Sequence, residues 1–200
     1  MTTSHMIKKQ STRDKLLDIT FDEVYIHGYT ATSVDTILKR AGIPKGSMYH
    51  HFKGKKELVL AMVEERLFPK MELFFDFEPK EGKSITDALR GTFAEMAKNK
   101  PLVTYGCPLY RLMVELSPVD ETFDRLLSAR VTLMQDNLAL LLQKGIESGE
   151  FNESLNTKEL ACYIFESTWG VLSLSPSLSS SKHFLLHSKF ILETLSNYNN

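Results

Sequence analysis

Apolar positions along this chain recur at three- and four-residue spacing, with no sustained alternation of period two. The first such run, 12–27, sets Leu17, Phe21 and Val24 on one stripe and stops at Gly28. A second run carries Val34, Ile37, Leu38 and Ala41 behind Thr32-Ser33-Val34-Asp35. A hydroxyl three residues ahead of a carboxylate marks a helix start. Gly42 closes that helix, Pro44 opens the next, and a short helix over 45–51 follows. Two helices joined by a short Gly-containing turn form a helix-turn-helix unit. Behind Gly54 a long helix starts at Lys55 and runs toward Phe75, with Pro69 expected to kink or end it. After a loop over 77–82 the helical period continues over 84–98, 106–117, 120–148, 157–173 and 182–195. Pro101, Pro118, Gly149 and a serine-rich stretch over 175–181 separate these segments. The pattern predicts an all-α chain, a three-helix head on a larger helical body.

The second helix of the pair is unusual in what it cannot hide. Met48 and Phe52, four apart, pack inward, which leaves Lys45, Ser47, Tyr49, His50 and His51 largely outside. A cation, hydroxyls and imidazoles are the donors that meet phosphate oxygens and base edges. Gly46 lets a backbone approach closely, and the helix N-terminus favours a phosphate. The plainer alternative is a polar-faced helix pair that only supports a core.

Residues 12–66 resemble the N-terminal domain of the TetR family of transcriptional regulators. The resemblance is carried by Gly28-Tyr29, Thr32-Ser33-Val34, Ile37, Ala41-Gly42-Ile43, the unbroken run from Lys45 to Phe52, and Lys55-Lys56-Glu57-Leu58. Three departures are mild. Thr20 and Val24 stand where the family more often has Ala and Phe, and Gly54 replaces a Ser or Asn cap. The family's DNA-binding fold is implied, followed by a helical C-terminal domain for ligand binding and dimerisation. The exposed donors assign Thr32, Tyr49 and Lys55 to phosphates and Lys45, Ser47 and His50 to base edges, with Gly46 leaving room. The domains are then an arm over 1–11, a head over 12–55 whose connecting helix reaches about residue 66, and a body over 67–200.

Charge changes the picture only when divided along the chain. The formal net charge is −1, but residues 1–66 hold 11 Lys+Arg against 8 Asp+Glu, and the remainder 13 against 17. A basic head on an acidic body suits a DNA contact on a near-neutral chain. Lys8 and Lys9 make a short basic arm, for which phosphate contact and simple disorder both stand. The opening from Met1 to Met6 resembles a vector-derived remnant. Cys107 and Cys162 form neither a disulfide framework nor a metal spacing, and no apolar run approaches membrane-spanning length. A soluble cytoplasmic protein without metal or cofactor is expected. No HExxH, GxSxG, P-loop or Gly-rich dinucleotide turn supports an enzyme.

The body is harder to assign. The resemblance implies a homodimer through the last two helices, here around 160–172 and 184–195, and an inducer pocket among the others. Tyr105, Cys107, Met113, Met134, Phe165 and Trp169 are the pocket candidates, although each also suits plain core, and Phe165 and Trp169 an interface. Arg111 and Glu115, four apart, suggest a helix-surface pair. Cys107 precedes Pro108 at a helix start, where the positive helix end lowers a thiol's pKa. A Gly-Cys-Pro start also resembles one branch of the family, some members of which respond to electrophiles. A small inert buried cysteine is the other reading. The function expected is a repressor on double-stranded palindromic operator DNA, released by a small-molecule inducer. Covalent modification of Cys107 by an electrophile or oxidant, or no ligand at all, are the alternatives.

Overall fold

A computed structural model describes residues 10–174 and 181–200. The expected vector remnant, the basic lysines of the arm and the serine-rich stretch at 175–180 lie outside the described residues. Within them every regular element is helical, apart from one isolated antiparallel bridge between Phe151 and Asn199. The chain divides into two compact units, one ending at Pro69 and one beginning at Lys70.

The first unit, the head, contains α1 (Thr12–His27), α2 (Val34–Ala41), α3 (Lys45–Tyr49) and α4 (Lys55–Met62). Its core is Leu16, Leu17 and Val24 from α1, Ile37, Leu38 and Ala41 from α2, Met48 and Phe52, and Leu58, Val59 and Met62 from α4. The inner stripe of α1 differs from expectation. Buried Thr20 occupies it, while Phe21 lies half-buried against Tyr25, ring centroids 5.7 Å apart. A threonine in the core made the pattern read through its apolar neighbour.

Ion pairs bind the head's edges together. Arg66 reaches Asp14 at 2.7 Å and Asp18 at 2.5 Å, Arg13 holds Glu65, and Arg40 reaches the buried Glu23 at 2.6 Å. Burial opposes the Arg66 charge, yet hydrogen bonds to Asp18 and Asp14 raise its pKa on balance. The hydrogen bond from Arg13 holds Glu65 below the usual carboxylate range.

Helical structure that starts at Lys55 continues through Pro69 rather than ending there. A single π turn over Val63–Leu67 carries the backbone into α5 (Phe68–Phe74). Proline cannot donate to the carbonyl four residues back, that of Glu65. Arg66 Nη1 donates to that oxygen instead, at 3.1 Å.

The second unit, the body, contains α6 (Ile85–Lys98), α7 (Lys100–Tyr105), α8 (Pro108–Leu116), α9 (Glu121–Glu147), α10 (Thr157–Ser173) and α11 (Ser181–Ser196). Helix α7 was not expected. Pro101 sits in its first turn, where a missing N–H costs nothing, and the Asn99 side chain caps it by accepting from Leu102 N–H. The N-terminus of α6 is held twice, by Ser84 and by the Glu150 carboxylate, which accepts from the Ile85 and Thr86 N–H groups. The core is an aromatic chain in which Phe165 contacts Phe75 and Phe77, and Phe93 contacts Phe77 and Phe184. Each buried phenyl contributes about 1.5–3 kcal/mol of transfer free energy. Gly106 has φ +81°, and an added Cβ would stand 2.9 Å from the Leu172 carbonyl oxygen, so only glycine fits ahead of Cys107.

Candidate nucleic-acid interface and ligand cavity

The turn between α2 and α3 follows from three residues. Ser33 is the N-cap of α2, its hydroxyl accepting from Thr36 N–H at 3.0 Å. Gly42 adopts the left-handed conformation, φ 60° and ψ 35°, and Ile43 N–H returns to the Leu38 carbonyl. Pro44, extended, then admits α3. With Met48 and Phe52 locked into the core, the other face of α3 is directed outward. Lys45, Tyr49, His50 and His51 are exposed, Ser47 is half-buried, and nothing lies within 4 Å of a Cβ built on Gly46. The nearest charge to Lys45 is Asp35, 3.6 Å away and itself well exposed, which leaves Lys45 able to exchange partners in water.

Thr32 differs from its assignment. It is 2% exposed, its hydroxyl donates to the Gly28 carbonyl at 2.7 Å, and its N–H donates to Tyr29. It closes the turn after α1 and presents no donor to a phosphate, and the cap it was read as belongs to Ser33. Lys55 keeps its place at the start of α4, with Nζ 4.1 Å above the Tyr29 ring centroid. That stacking steadies the ammonium at a helix N-terminus, and it was not anticipated although Gly28-Tyr29 belongs to the motif. Gly54 caps α4 without a side chain, and Glu57 compensates by accepting from Lys53 N–H at 2.7 Å.

In the body, Cys107 does stand as the N-cap of α8 with Pro108 behind it. Of the two readings of this thiol, the burial favours the small inert cysteine over the activated one. The thiol is 1% exposed and its sulfur lies 3.9 Å from that of Met71. Burial pushes it up to about 11, and the N–H groups of Tyr110 and Leu109 and the Trp169 indole pull the other way by less. Desolvation outweighs the helix end, and the thiol is neutral at pH 7.

A cavity of about 650 Å³ opens between residues 71–78, helix α9 and Phe165 of α10. Met71, Phe75, Met134, Leu138 and Phe165 make its apolar wall, and two ion pairs cross its rim, Arg130 with Glu72 and Lys144 with Glu78. A larger groove of about 870 Å³ runs along α6, and charged side chains such as Lys80, Asp87, Arg90 and Glu95 dominate its walls. Of the six pocket candidates, Met134 and Phe165 line the 650 Å³ cavity. Trp169 and Cys107 pack in the adjoining core, where Trp169 contacts Phe165 and Tyr110 at 5.7 and 6.0 Å. Half-buried Tyr105 accepts from Arg111 Nη1 through its carbonyl, and Met113 lies half-buried on α8. Phe75, Glu72 and Arg130 escaped the sequence reading. Arg130 left a signal: it falls in the buried stripe Phe123, Leu127, Met134, Leu138, Leu141 at a position where an apolar residue would continue the pattern.

Fold and outward-facing helix together define a helix-turn-helix DNA-binding transcriptional regulator. The profile described as bacterial regulatory proteins of the tetR family matches residues 16–62. A second profile, described as a tetracyclin repressor-like C-terminal domain, matches residues 87–185. An uncharacterized HTH-type transcriptional regulator of Lactococcus lactis is 31% identical over 134 residues, covering 65% of this chain and 67% of that protein. The HTH-type transcriptional repressor KstR2 of Mycolicibacterium smegmatis is 27% identical over 163 residues, covering 80% and 77%. The crystal structure of a TetR regulator from Chloroflexus aurantiacus superposes with a TM-score of 0.84 at 22% identity, covering 94% of this chain and 96% of that one. The chain belongs to the TetR family of regulators. No helix among the described residues is long and apolar enough to cross a membrane.

Proposed function

We propose that the protein is a homodimeric repressor that occupies a two-fold symmetric operator and releases it when a small molecule enters the body. The observation that carries this reading is the division of α3 and its C-cap, where Met48 is locked in the core while Lys45, Tyr49 and His50 are exposed and Ser47 is half-buried. Lys45, Ser47 and His50 read base edges, and Tyr49 and Lys55 hold phosphates. A repressor among the relatives agrees with the sign of regulation. The dimer is supported by exposed apolar side chains along the last two helices, Tyr163 on α10, Leu174 at its C-cap, and Leu185, Leu186 and Phe190 on α11. Such a patch buries itself against a second copy of the same surface.

The 650 Å³ cavity is the inducer seat, walled by the end of the helical stretch that begins at Lys55. An inducer lowers DNA affinity only if it binds the DNA-incompetent arrangement more tightly. Reciprocity requires operator DNA to weaken inducer binding by the same factor, typically about 5–150-fold. Covalent signalling through Cys107 is disfavoured by its burial and raised pKa. Selection from a random duplex library, followed by footprinting, tests the operator. Two protected half-sites about 34–36 Å apart or somewhat more, on a two-fold sequence, are expected. A footprint without two-fold symmetry contradicts the reading.

A further inference from the structure

We propose that the cavity takes an amphipathic carboxylate, its head on Arg130 and its apolar body on Phe75, Met134 and Phe165. This inference rests on the cavity's being the inducer seat, and it names the class of ligand. The first observation is the position of Arg130 on α9. It occupies a core-stripe position between Leu127 and Met134, and a charge there is retained only where a partner meets it. Only 12% of its side chain is exposed, whereas its partner Glu72, across the rim, is 66% exposed. The pair therefore joins a desolvated cation to a hydrated carboxylate. A ligand carboxylate that enters from the cavity exchanges with Glu72, which returns to water at little cost, while the arginine never loses an anion. The planar guanidinium suits that exchange, since its fork accepts a carboxylate with two parallel hydrogen bonds.

The rim as a whole argues superficially for a cationic ligand. Glu72, Asp76, Glu78 and Glu147 outnumber Arg130 and Lys144. Those four carboxylates are all exposed, and Asp76 already accepts from Glu78 N–H while Glu78 faces Lys144. Water and salt screen exposed charges several-fold more than a buried one. The field felt by a ligand head beside Met134 is thus set chiefly by Arg130. The volume, about 650 Å³, lies in the range of small-molecule sites, and the aromatic and methionine wall suits an aliphatic or flat apolar body without a directional partner.

The chain holds a single tryptophan, Trp169, 5.7 Å from Phe165 in the cavity wall, so its fluorescence reports filling of the cavity without DNA. The probes are octanoate, 1-octanol and octylamine, three head groups on one chain, titrated into the full protein at neutral pH. Octanoate is expected to bind about tenfold or more tightly than the other two. Arg130→Gln abolishes that preference, while a fluorescence response to octanol that persists shows the cavity intact. Glu72→Gln, which keeps the arginine, strengthens octanoate binding several-fold because the competing carboxylate is gone. Tighter binding of octylamine, a preference that survives Arg130→Gln, or no change in Glu72→Gln would overturn the proposal. Absence of any octanoate response would overturn it as well. A separate mobility-shift assay on the selected operator reads DNA binding alone, so a failed ligand class leaves the repressor reading standing.

Discussion

The head and the body place their functional groups on opposite sides of the same physical balance. In the head, Met48 of α3 and Phe52 just after it turn inward and leave polar residues outside, so the proposed DNA face is whatever the core cannot use. In the body, Phe75, Met134 and Phe165 serve cavity and core with the same apolar surfaces. A DNA contact needs hydrated donors that a phosphate can capture. A ligand seat needs dry walls, and dry walls resemble packing. The head's edges are joined by carboxylate–arginine pairs, whereas the body's core carries aromatic rings in edge-to-face contact.

The largest expected effect breaks the body's side of this contrast. Phe93→Ala removes a fully buried ring between Phe77 and Phe184 and should cost about 3–5 kcal/mol in chemical denaturation. A loss below about 1 kcal/mol would mean that the aromatic chain is not the body's main support. Next comes the exposed apolar face. Phe190→Glu should weaken self-association by about 2 kcal/mol or more, read by sedimentation, with little change in helix content. A dimer of unchanged affinity would move the interface elsewhere.

Cys107 sharpens the comparison, since it combines an electropositive helix start with a dry site. At pH 8 a thiol with pKa about 11 is thiolate in roughly one part per thousand, so iodoacetamide should modify half-buried Cys162 first. The folded pKa is raised above its ordinary 9.0, so this group's contribution to stability is complete below pH 9 and is lost as pH rises toward 11. Rapid alkylation of Cys107 in the native protein would restore the thiol as a sensor. The smallest effect lies at the head's surface. Glu65→Gln should cost under about 1 kcal/mol at pH 7, because both partners are more than a third exposed. Glu65 has a lowered pKa, so its contribution is present above about pH 4.5 and lost as pH falls through the folded value. The variant and the parent should converge in acid.

The same contrast explains what the sequence disclosed. Capping residues, Gly42 and the unbroken motif from Lys45 to Phe52 act locally, so α1 to α4 and the exposed face of α3 were legible. Thr32 was misassigned because a hydroxyl beside a helix start suits a cap, a phosphate contact or a turn closure, and only the path of the backbone from Gly28 decides. Helix α7 was missed because Pro101 both breaks and begins helices. The π turn before Pro69 leaves no mark in the hydrophobic periodicity, nor does the bond from Arg66 to the Glu65 carbonyl beside it. In the body, Met134 and Phe165 stand among the pocket candidates, but the sequence alone does not separate them from Tyr105, Cys107, Met113 and Trp169, because the same apolar side chains suit plain core. Arg130 is a charged departure from the buried apolar stripe of α9, and it lines the proposed ligand cavity.

The central claim is that α3 reads bases while the start of α4 holds phosphate. Its most direct test is the salt dependence of binding for Lys45→Ala and Lys55→Ala on the selected operator and on single-position variants of it. Lys55→Ala should weaken every sequence alike and lower the salt slope by about one. Lys45→Ala should instead relax preference at one position per half-site, by about 1–3 kcal/mol. Wild-type affinity and slope in both variants at physiological salt would contradict the account.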